Sequence, residues 1–190
     1  MFTMPVNDKV SIVFMHQQFK THFYKLFKAN KLQLSKWFNW PDHCNSEEDF
    51  LKLISDSLFE YARGTAIQCG ISYNQQLIGY IGLTQINYTL SKAELSYWIS
   101  TEHQGRGMMT AVCQRMIKYA FEFLKLDKIE ISIATENLGS RKVCESLGFE
   151  LEGILKRAES INGVVIDHAR YGLLSSAYWH YLKNQTRLLN

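Results

Sequence analysis

The spacing of apolar positions changes several times along this chain, and each change marks an element. Residues 10–15 (VSIVFM) are a short apolar run that predicts a strand. From 16 to 34, Phe19, Phe23, Leu26, Phe27 and Leu34 recur at near-helical spacing with lysines between them, which predicts an amphipathic helix or two. Pro41 then interrupts the aromatic segment Trp37-Phe38-Asn39-Trp40-Pro41-Asp42 as regular structure. Ser46-Glu47-Glu48-Asp49 has the chemistry of a helix start, with Ser46 as cap and Asp49 three residues on. Phe50, Leu53, Ile54, Leu58 and Tyr61 supply that helix's apolar face.

At residue 65 the period becomes two. Thr65, Ile67, Cys69, Ile71 and Tyr73 alternate with smaller or polar residues, Asn74-Gln75-Gln76 makes a turn, and 77–87 and 93–99 follow as strands. Their connections are too short for crossover helices, so these strands are antiparallel. After the glycine-bearing segment 104–109, Met109, Val112, Met116, Ala120 and Phe123 return to helical spacing, and Ile129, Ile131 and Ile133 form another strand. Strand, glycine loop, helix, strand is the order of a βαβ crossover. A helix over 138–147 stops at Gly148, and 154–160 and 164–174 flank Asn162-Gly163 as a hairpin. The pattern predicts one mixed α/β domain over 1–190, with no linker, repeat or coiled coil.

Composition narrows the class. Of 190 residues, 46% are hydrophobic and only 2 are Pro, so the chain is predicted to be globular. No apolar run is long enough to cross a bilayer, and the first residues do not have the pattern of a signal peptide, so a cytoplasmic location without membrane contact is expected. A formal charge of +3 is too mild for a nucleic-acid surface. Residues 1–36 nonetheless carry six lysines against one acid, Asp8. Such a segment fits either a solvated helix face or steering of an acidic partner. Cys44, Cys69, Cys113 and Cys144 lie far apart, the histidines form no ligand cluster, and no metal is expected.

Two segments carry candidate chemistry. In Gln104-Gly105-Arg106-Gly107-Met108-Met109, two glycines allow a tight turn whose N–H groups converge at a helix start. That geometry receives phosphate oxygens, although an ordinary strand-to-helix turn has the same spacing. No Lys-Ser/Thr follows, so it is not a nucleoside-triphosphate loop. The second segment is Asn137-Leu138-Gly139-Ser140-Arg141-Lys142-Val143, between a strand and a helix. Asn137 suits a helix cap or a bond to a cofactor amide, and Ser140 faces the same groove one turn later.

Together these motifs resemble the GNAT superfamily of acetyl-CoA-dependent N-acetyltransferases: Gln-x-x-Gly-x-x opening a helix, a strand, then Asn-x-x-Ser-x-x-Val-x-x-x-Leu-Gly-Phe. Lys92-Ala93-Glu94-Leu95-Ser96-Tyr97-Trp98-Ile99, His103–Thr110, Leu34–Trp40, Glu152-Gly153 and Asp167-His168 resemble the branch that acetylates Ser or Ala N-termini of ribosomal proteins. The resemblance spans about residues 10–181. Met109 stands where the superfamily's loop usually ends in Gly or Ala, a variation that branch tolerates. No Tyr occurs in 138–147, where many relatives keep an acid for the leaving thiolate, and Ser140 is the substitute the branch implies.

The resemblance implies a GNAT fold: a mostly antiparallel sheet flanked by helices, in which the strand at 95–99 splays from its parallel neighbour at 129–133, helped by a β-bulge near Ser96-Tyr97. Acetyl-CoA is then expected in the gap, with pantetheine amides on the backbone of Trp98, Ile99 and Ser100 and the diphosphate on Gln104, Gly105, Arg106, Gly107, Met108 and Met109. Asn137 and Lys142 are expected on the other wall. A free α-amine, with a pKa of about 7.7–8.0, needs only a mild base. Glu94 is the first candidate for that base and Ser140 for the acid, with a backbone N–H near Tyr97 or Trp98 for the oxyanion. Trp37, Trp40, Tyr97 and His168 are expected to bind the acceptor, with Tyr171 in reach of the same pocket. The acceptor is read as the N-terminal α-amine of a (ribosomal) protein, with a small amine such as a polyamine or aminoglycoside, or a non-catalytic acetyl-CoA-binding protein, as the alternative readings. Monomer and homodimer both fit.

Overall fold

In the computed structural model, which describes residues 3–180, the chain runs β1 (Thr3–Pro5), β2 (Val10–Phe14), α1 (Lys20–Leu34), α2 (Glu47–Ala62), β3 (Ile67–Tyr73), β4 (Gln76–Asn87), β5 (Lys92–Ile99), α3 (Met108–Glu122), β6 (Lys128–Ala134), α4 (Leu138–Ser146), β7 (Glu150–Ile161) and β8 (Val164–Leu174). Local chemistry accounts for most boundaries. Ser46 Oγ accepts from the Asp49 N–H while the Asp49 carboxylate accepts from the Ser46 N–H, a complete capping box. The β3–β4 and β7–β8 turns place Asn74 and Gln75, then Asn162 and Gly163, at positive φ, as two-residue hairpin turns require. The short edge strand β1 was not predicted: three residues are too few to display a period.

The eight strands form one sheet in the order β1-β2-β3-β4-β5-β6-β8-β7. Every neighbouring pair is antiparallel except β5 and β6. The parallel pairing lasts three residues, Lys92↔Lys128 to Glu94↔Glu130. Beyond Glu94, β5 stays with β4 as far as Gly79↔Ile99, while β6 stays with β8 as far as Ala134↔His168. Each strand is held by its outer neighbour, so the two diverge and leave a V-shaped gap. The bulge expected near Ser96-Tyr97 is absent there. The β4–β5 register runs unbroken from Thr84↔Glu94 to Gly79↔Ile99, and the irregularity lies lower, between Thr84 and Asn87, with Gln85 at φ 50°.

Unbroken alternation divides β5 between two cores. Ala93, Leu95, Tyr97 and Ile99 join the core under α3, where Val112, Cys113, Met116, Ile117 and Ala120 are completely buried. Met109 belongs to the same core, which is why a large apolar residue fits at the end of the glycine loop. On the opposite face Trp98 joins an aromatic cluster with Phe23, Phe27 and Phe50 of α1 and α2. The lysines of α1 read as a solvated face: Lys28 and Lys31 lie over the rings of Tyr24 and Phe27.

Candidate active site

Hydrogen-bond direction along β5 decides what the gap offers. The Ser100 N–H donates to the Ile78 carbonyl at 2.8 Å, so Ser100, Trp98 and Ser96 turn their backbone groups toward β4. The N–H groups of Tyr97 and Ile99 therefore face the gap. Of the sequence-predicted backbone contacts, Ile99 is placed on the gap edge; the Trp98 and Ser100 N–H groups are directed to β4. The Ser100 hydroxyl is also engaged, 2.7 Å from His103 Nδ1. Gln104 serves the loop itself, its Nε2 donating to the Ile99 carbonyl at 3.2 Å.

Gly105 and Gly107 stand at φ 71° and 72°, conformations in which other residues are strained. Gly107 is the N-cap of α3, and no side chain caps that helix start. Its first N–H groups point out beside the exposed Arg106. Such a helix start can receive phosphate oxygens: it offers free N–H donors, a positive helix end, and no competing side-chain cap. Across the gap Asn137 Oδ1 accepts from the Ser140 N–H at 3.2 Å and caps α4. Lys142 is exposed on the same helix. Arg141 holds α4 to the sheet, donating to the Tyr171 hydroxyl at 3.0 Å and the Thr135 carbonyl at 3.1 Å. Tyr171 is thereby committed to the α4 side and does not reach the acceptor pocket.

Tyr97 contributes to the lining of the cavity on the α1–α2 face of β5 but sends its hydroxyl to the other side of the strand. Its hydroxyl donates to the Ser140 carbonyl at 3.1 Å and lies 4.0 Å from Cys144 Sγ. Burial pushes the phenol pKa far up. The ring spans the base of the gap from β5 to α4. The Ser140 hydroxyl makes no hydrogen bond among the described residues. The four cysteines are free and buried, and burial raises the Cys69 and Cys144 thiols to about 12. None has the exposed thiolate character of a nucleophile.

On the other face, β3, β4, β5, α1 and α2 enclose a cavity of about 300 Å³. Phe38 and Trp40 line it, with Phe23, Phe50 and Trp98. Trp37, from the same aromatic segment, is not part of that wall. Where β5 meets β6, six charges interlock. Glu130, only 7% exposed, takes Lys92 and Lys128 at 2.9 Å and Arg170 at 2.6 Å, and Arg170 also holds Glu94 at 3.1 Å. Lys128 reaches on to Glu152 at 2.7 Å. Burial opposes the Glu130 charge, but the hydrogen bonds from the lysines and the nearby guanidinium outweigh it and bring its pKa to about 2. Glu94 thus belongs to an array of paired charges at the closed end of the gap.

A second carboxylate escaped the sequence reading. Glu159 Oε2 lies 3.3 Å from His168 Nε2, and Glu159 Oε1 accepts from Asn39 Nδ2 at 2.8 Å. The pairing depends on a bulge: register slips by two residues between Leu155↔His168 and Glu159↔Ile166. That slip makes Glu159 and His168 diagonal neighbours, close enough for long side chains to meet. Asp167 fixes the bulge by accepting from the Arg157 N–H and Lys156 Nζ, both at 2.8 Å, with Arg157 at φ 52°. A polar bond from Asn162 Nδ2 to the Ser35 carbonyl, 2.9 Å, ties the hairpin tip to the end of α1. His168 is thus linked to the aromatic segment through Glu159 and Asn39, outside the residues that line the cavity, with a carboxylate partner that its sequence neighbours did not reveal.

A parallel strand pair that parts after three residues, with a bare strand edge and an uncapped glycine loop at its mouth, has the geometry to receive an extended ligand along the sheet with a phosphate group at the helix start. The chain matches the acetyltransferase (GNAT) domain over residues 18–150. It is 34% identical over 175 residues to a putative ribosomal N-acetyltransferase, YdaF, of Bacillus subtilis, covering 92% of this chain and 96% of that one. It is 30% identical over 165 residues to the ribosomal-protein-serine acetyltransferase of Escherichia coli (87% and 92% covered). It is also 32% identical over 149 residues to the spermidine N(1)-acetyltransferase of Vibrio cholerae (78% and 84% covered). Among solved structures, the microcin C7 self-immunity acetyltransferase MccE in complex with acetyl-CoA and AMP superposes with a TM-score of 0.85 at 26% identity, over 89% of this chain and 94% of that one. The chain belongs to the GNAT acetyltransferase family and is an acyl-CoA-dependent N-acetyltransferase. Among the described residues, no group of three or more His, Cys, Asp or Glu is placed to hold a metal, and no helix is long and apolar enough to cross a membrane.

Proposed function

We propose that this protein transfers an acetyl group from acetyl-CoA to the N-terminal α-amine of a protein, with ribosomal proteins as the acceptor class. The observation that carries the reading is likeness across nearly the full length of both chains to a putative ribosomal N-acetyltransferase. The cavity on the acceptor side supports it, because its wall holds no carboxylate, whereas a polyamine site needs several.

Acetyl-CoA, when bound, supplies an acetyl thioester. The N–H groups of Gly105–Met109 hold its diphosphate, the gap-facing backbone of Tyr97 and Ile99 holds the pantetheine, and Asn137 and Lys142 line the far wall. Glu159, steadied by Asn39 and His168, is the base that takes a proton from the incoming ammonium group. An α-amine, at about 7.7–8.0, gives up that proton far more readily than a lysine at about 10.4. Ser140 offers its hydroxyl to the departing sulfur, whose reference pKa near 8.5 makes strong help unnecessary. The second reading is a small-amine acceptor, favoured by the likeness to a spermidine acetyltransferase.

Mass spectrometry of products separates the two. The panel holds peptides beginning with Ser, Ala, Thr or Met, internal-lysine peptides, polyamines and aminoglycosides. Addition of one acetyl group to the α-amine of one peptide class is expected. A product confined to a polyamine or aminoglycoside would replace the protein acceptor with a small amine.

A further inference from the structure

The acceptor-side cavity has an apolar wall and a polar floor. Its wall is aromatic and aliphatic, from Phe23, Phe50, Trp40, Trp98, Leu53 and Ile54, and no ionisable carboxylate, amine or guanidinium lines it. Its floor is a directed row of hydrogen bonds across three strands. Gln68 Nε2 donates to Glu60 Oε2 at 2.6 Å, which turns Gln68 Oε1 toward Tyr80. The Tyr80 hydroxyl donates to that oxygen at 3.1 Å and so has spent its one proton. Its remaining lone pair faces Ser96 Oγ at 3.4 Å. The ring has room to lie in this position because residue 82 is glycine: a Cβ there would run into the Tyr80 hydroxyl. Burial raises the Tyr80 phenol to about 12, so the hydroxyl at the centre of the row stays uncharged at neutral pH, and the Glu60 carboxylate that anchors the row from beyond Gln68 does not line the cavity.

Ser96 and Trp98, which border this cavity, alternate along β5 with Tyr97 and Ile99, whose backbone faces the gap. A group seated in the cavity is therefore attached close to an amine presented at the gap. A charged group entering would lose its water and meet no charged side chain in the lining, whereas an apolar one gains by burial. At about 300 Å³ the cavity is at the small end of ligand pockets. We infer that it is the subsite for the group next to the acceptor amine, that it selects an uncharged, largely apolar group, and that Tyr80, pinned over Gly82 by Gln68, is the specificity-determining residue that sets its depth. The inference rests on the acetyltransferase reading and deepens it.

The test compares kcat/KM for the peptides Ser-Leu, Ser-Phe, Ser-Trp, Ser-Glu and Ser-Lys, and for the free amines phenethylamine and spermidine, in the native protein and in Tyr80→Leu. The native protein is expected to favour Leu or Phe over Glu and Lys by at least about tenfold. Tyr80→Leu deepens the cavity and is expected to move the optimum toward Trp with acetyl-CoA KM unchanged. A merely structural role would lower all peptides together. The amine pair shows whether the apolar group arrives on a peptide or on a small molecule. Equal or reversed preference for the charged peptides would overturn the inference. Should Tyr80→Leu not fold, Trp40→Leu opens the opposite wall and is expected to shift the optimum the same way. If no acceptor is acetylated, titration of tryptophan fluorescence keeps the two readings apart. Saturable quenching by phenethylamine and not by spermidine, lost in Trp40→Phe, supports the subsite while the N-terminal acceptor fails, and no saturable change with either amine overturns the subsite.

Discussion

Along the edge of β5 that faces β6, the protein offers backbone: the N–H groups of Tyr97 and Ile99, two glycines at positive φ, and the uncapped start of α3. On the face of β5 that α1 and α2 cover, it offers side chains: a ring of aromatics around a hydrogen-bonded floor, with the Glu159–His168 pair tied to Asn39 between the wall residues Phe38 and Trp40. Backbone recognition suits a partner that never changes, because it depends on strand divergence and turn geometry, not on which residues line the wall. Side-chain recognition suits a partner that differs between relatives. Members of one family can share the first side and differ in the second, as the ribosomal and spermidine acetyltransferases similar to this chain do by their acceptors.

The contrast can be broken most sharply at Glu159. Replacing it with Gln keeps the bond from Asn39 but removes the base, and kcat is expected to fall about 10²–10⁴-fold in a steady-state assay, with acetyl-CoA affinity unchanged. Glu94→Gln is expected to act through stability instead, because Glu94 is bound to Arg170. A larger kcat loss for Glu94→Gln than for Glu159→Gln would reverse the assignment. Next comes the charge array that closes the gap. Arg170→Met leaves Glu94 without its guanidinium and Glu130 with two of three partners, at a cost of about 3 kcal/mol in urea unfolding.

The same array sets an acid limit. The Glu130 pKa is depressed from 4.5 to about 2, so its contribution, roughly 3 kcal/mol, is complete above the unfolded value. It is lost as pH falls from about 4.5 toward 2. In Glu130→Gln the slope of stability against pH in that window should flatten. A slope equal to the native one would place the acid sensitivity elsewhere. Smallest is Ser140→Ala: since the thiolate is a good leaving group, a kcat change of less than about tenfold is expected, and a larger one would make Ser140 an obligatory acid.

The backbone side was legible in the sequence for a physical reason. Gly105, Gly107 and Asn137 carry local conformational meaning, and the change from period 2 to helical spacing around them locates the strand-to-helix turn without knowledge of the rest of the chain. The side-chain side depends on contacts that no local pattern encodes. Asn39 meets Glu159 across 120 positions, and Glu159 reaches His168 through a slip in register fixed by Asp167. Glu94 drew attention because it sits in the motif beside the gap, but the partner that occupies it, Arg170, lies 76 positions away. The bulge expected in β5 also lay beyond reach, because divergence comes from the outer neighbours holding β5 and β6 apart. The reach of the Tyr97 hydroxyl to Ser140 was equally out of sight, since alternation alone did not say which core each face would meet.

The division of labour across β5 is tested most directly by calorimetric titration of acetyl-CoA into Gly107→Val and Trp40→Leu. Gly107 is at φ 72° with open space around a Cβ, so valine there distorts the cradle without crowding the fold. The account predicts that Gly107→Val weakens acetyl-CoA binding by about tenfold or more, while Trp40→Leu leaves it within about twofold of the native protein. Comparable weakening in both variants, or native affinity in Gly107→Val, would contradict it.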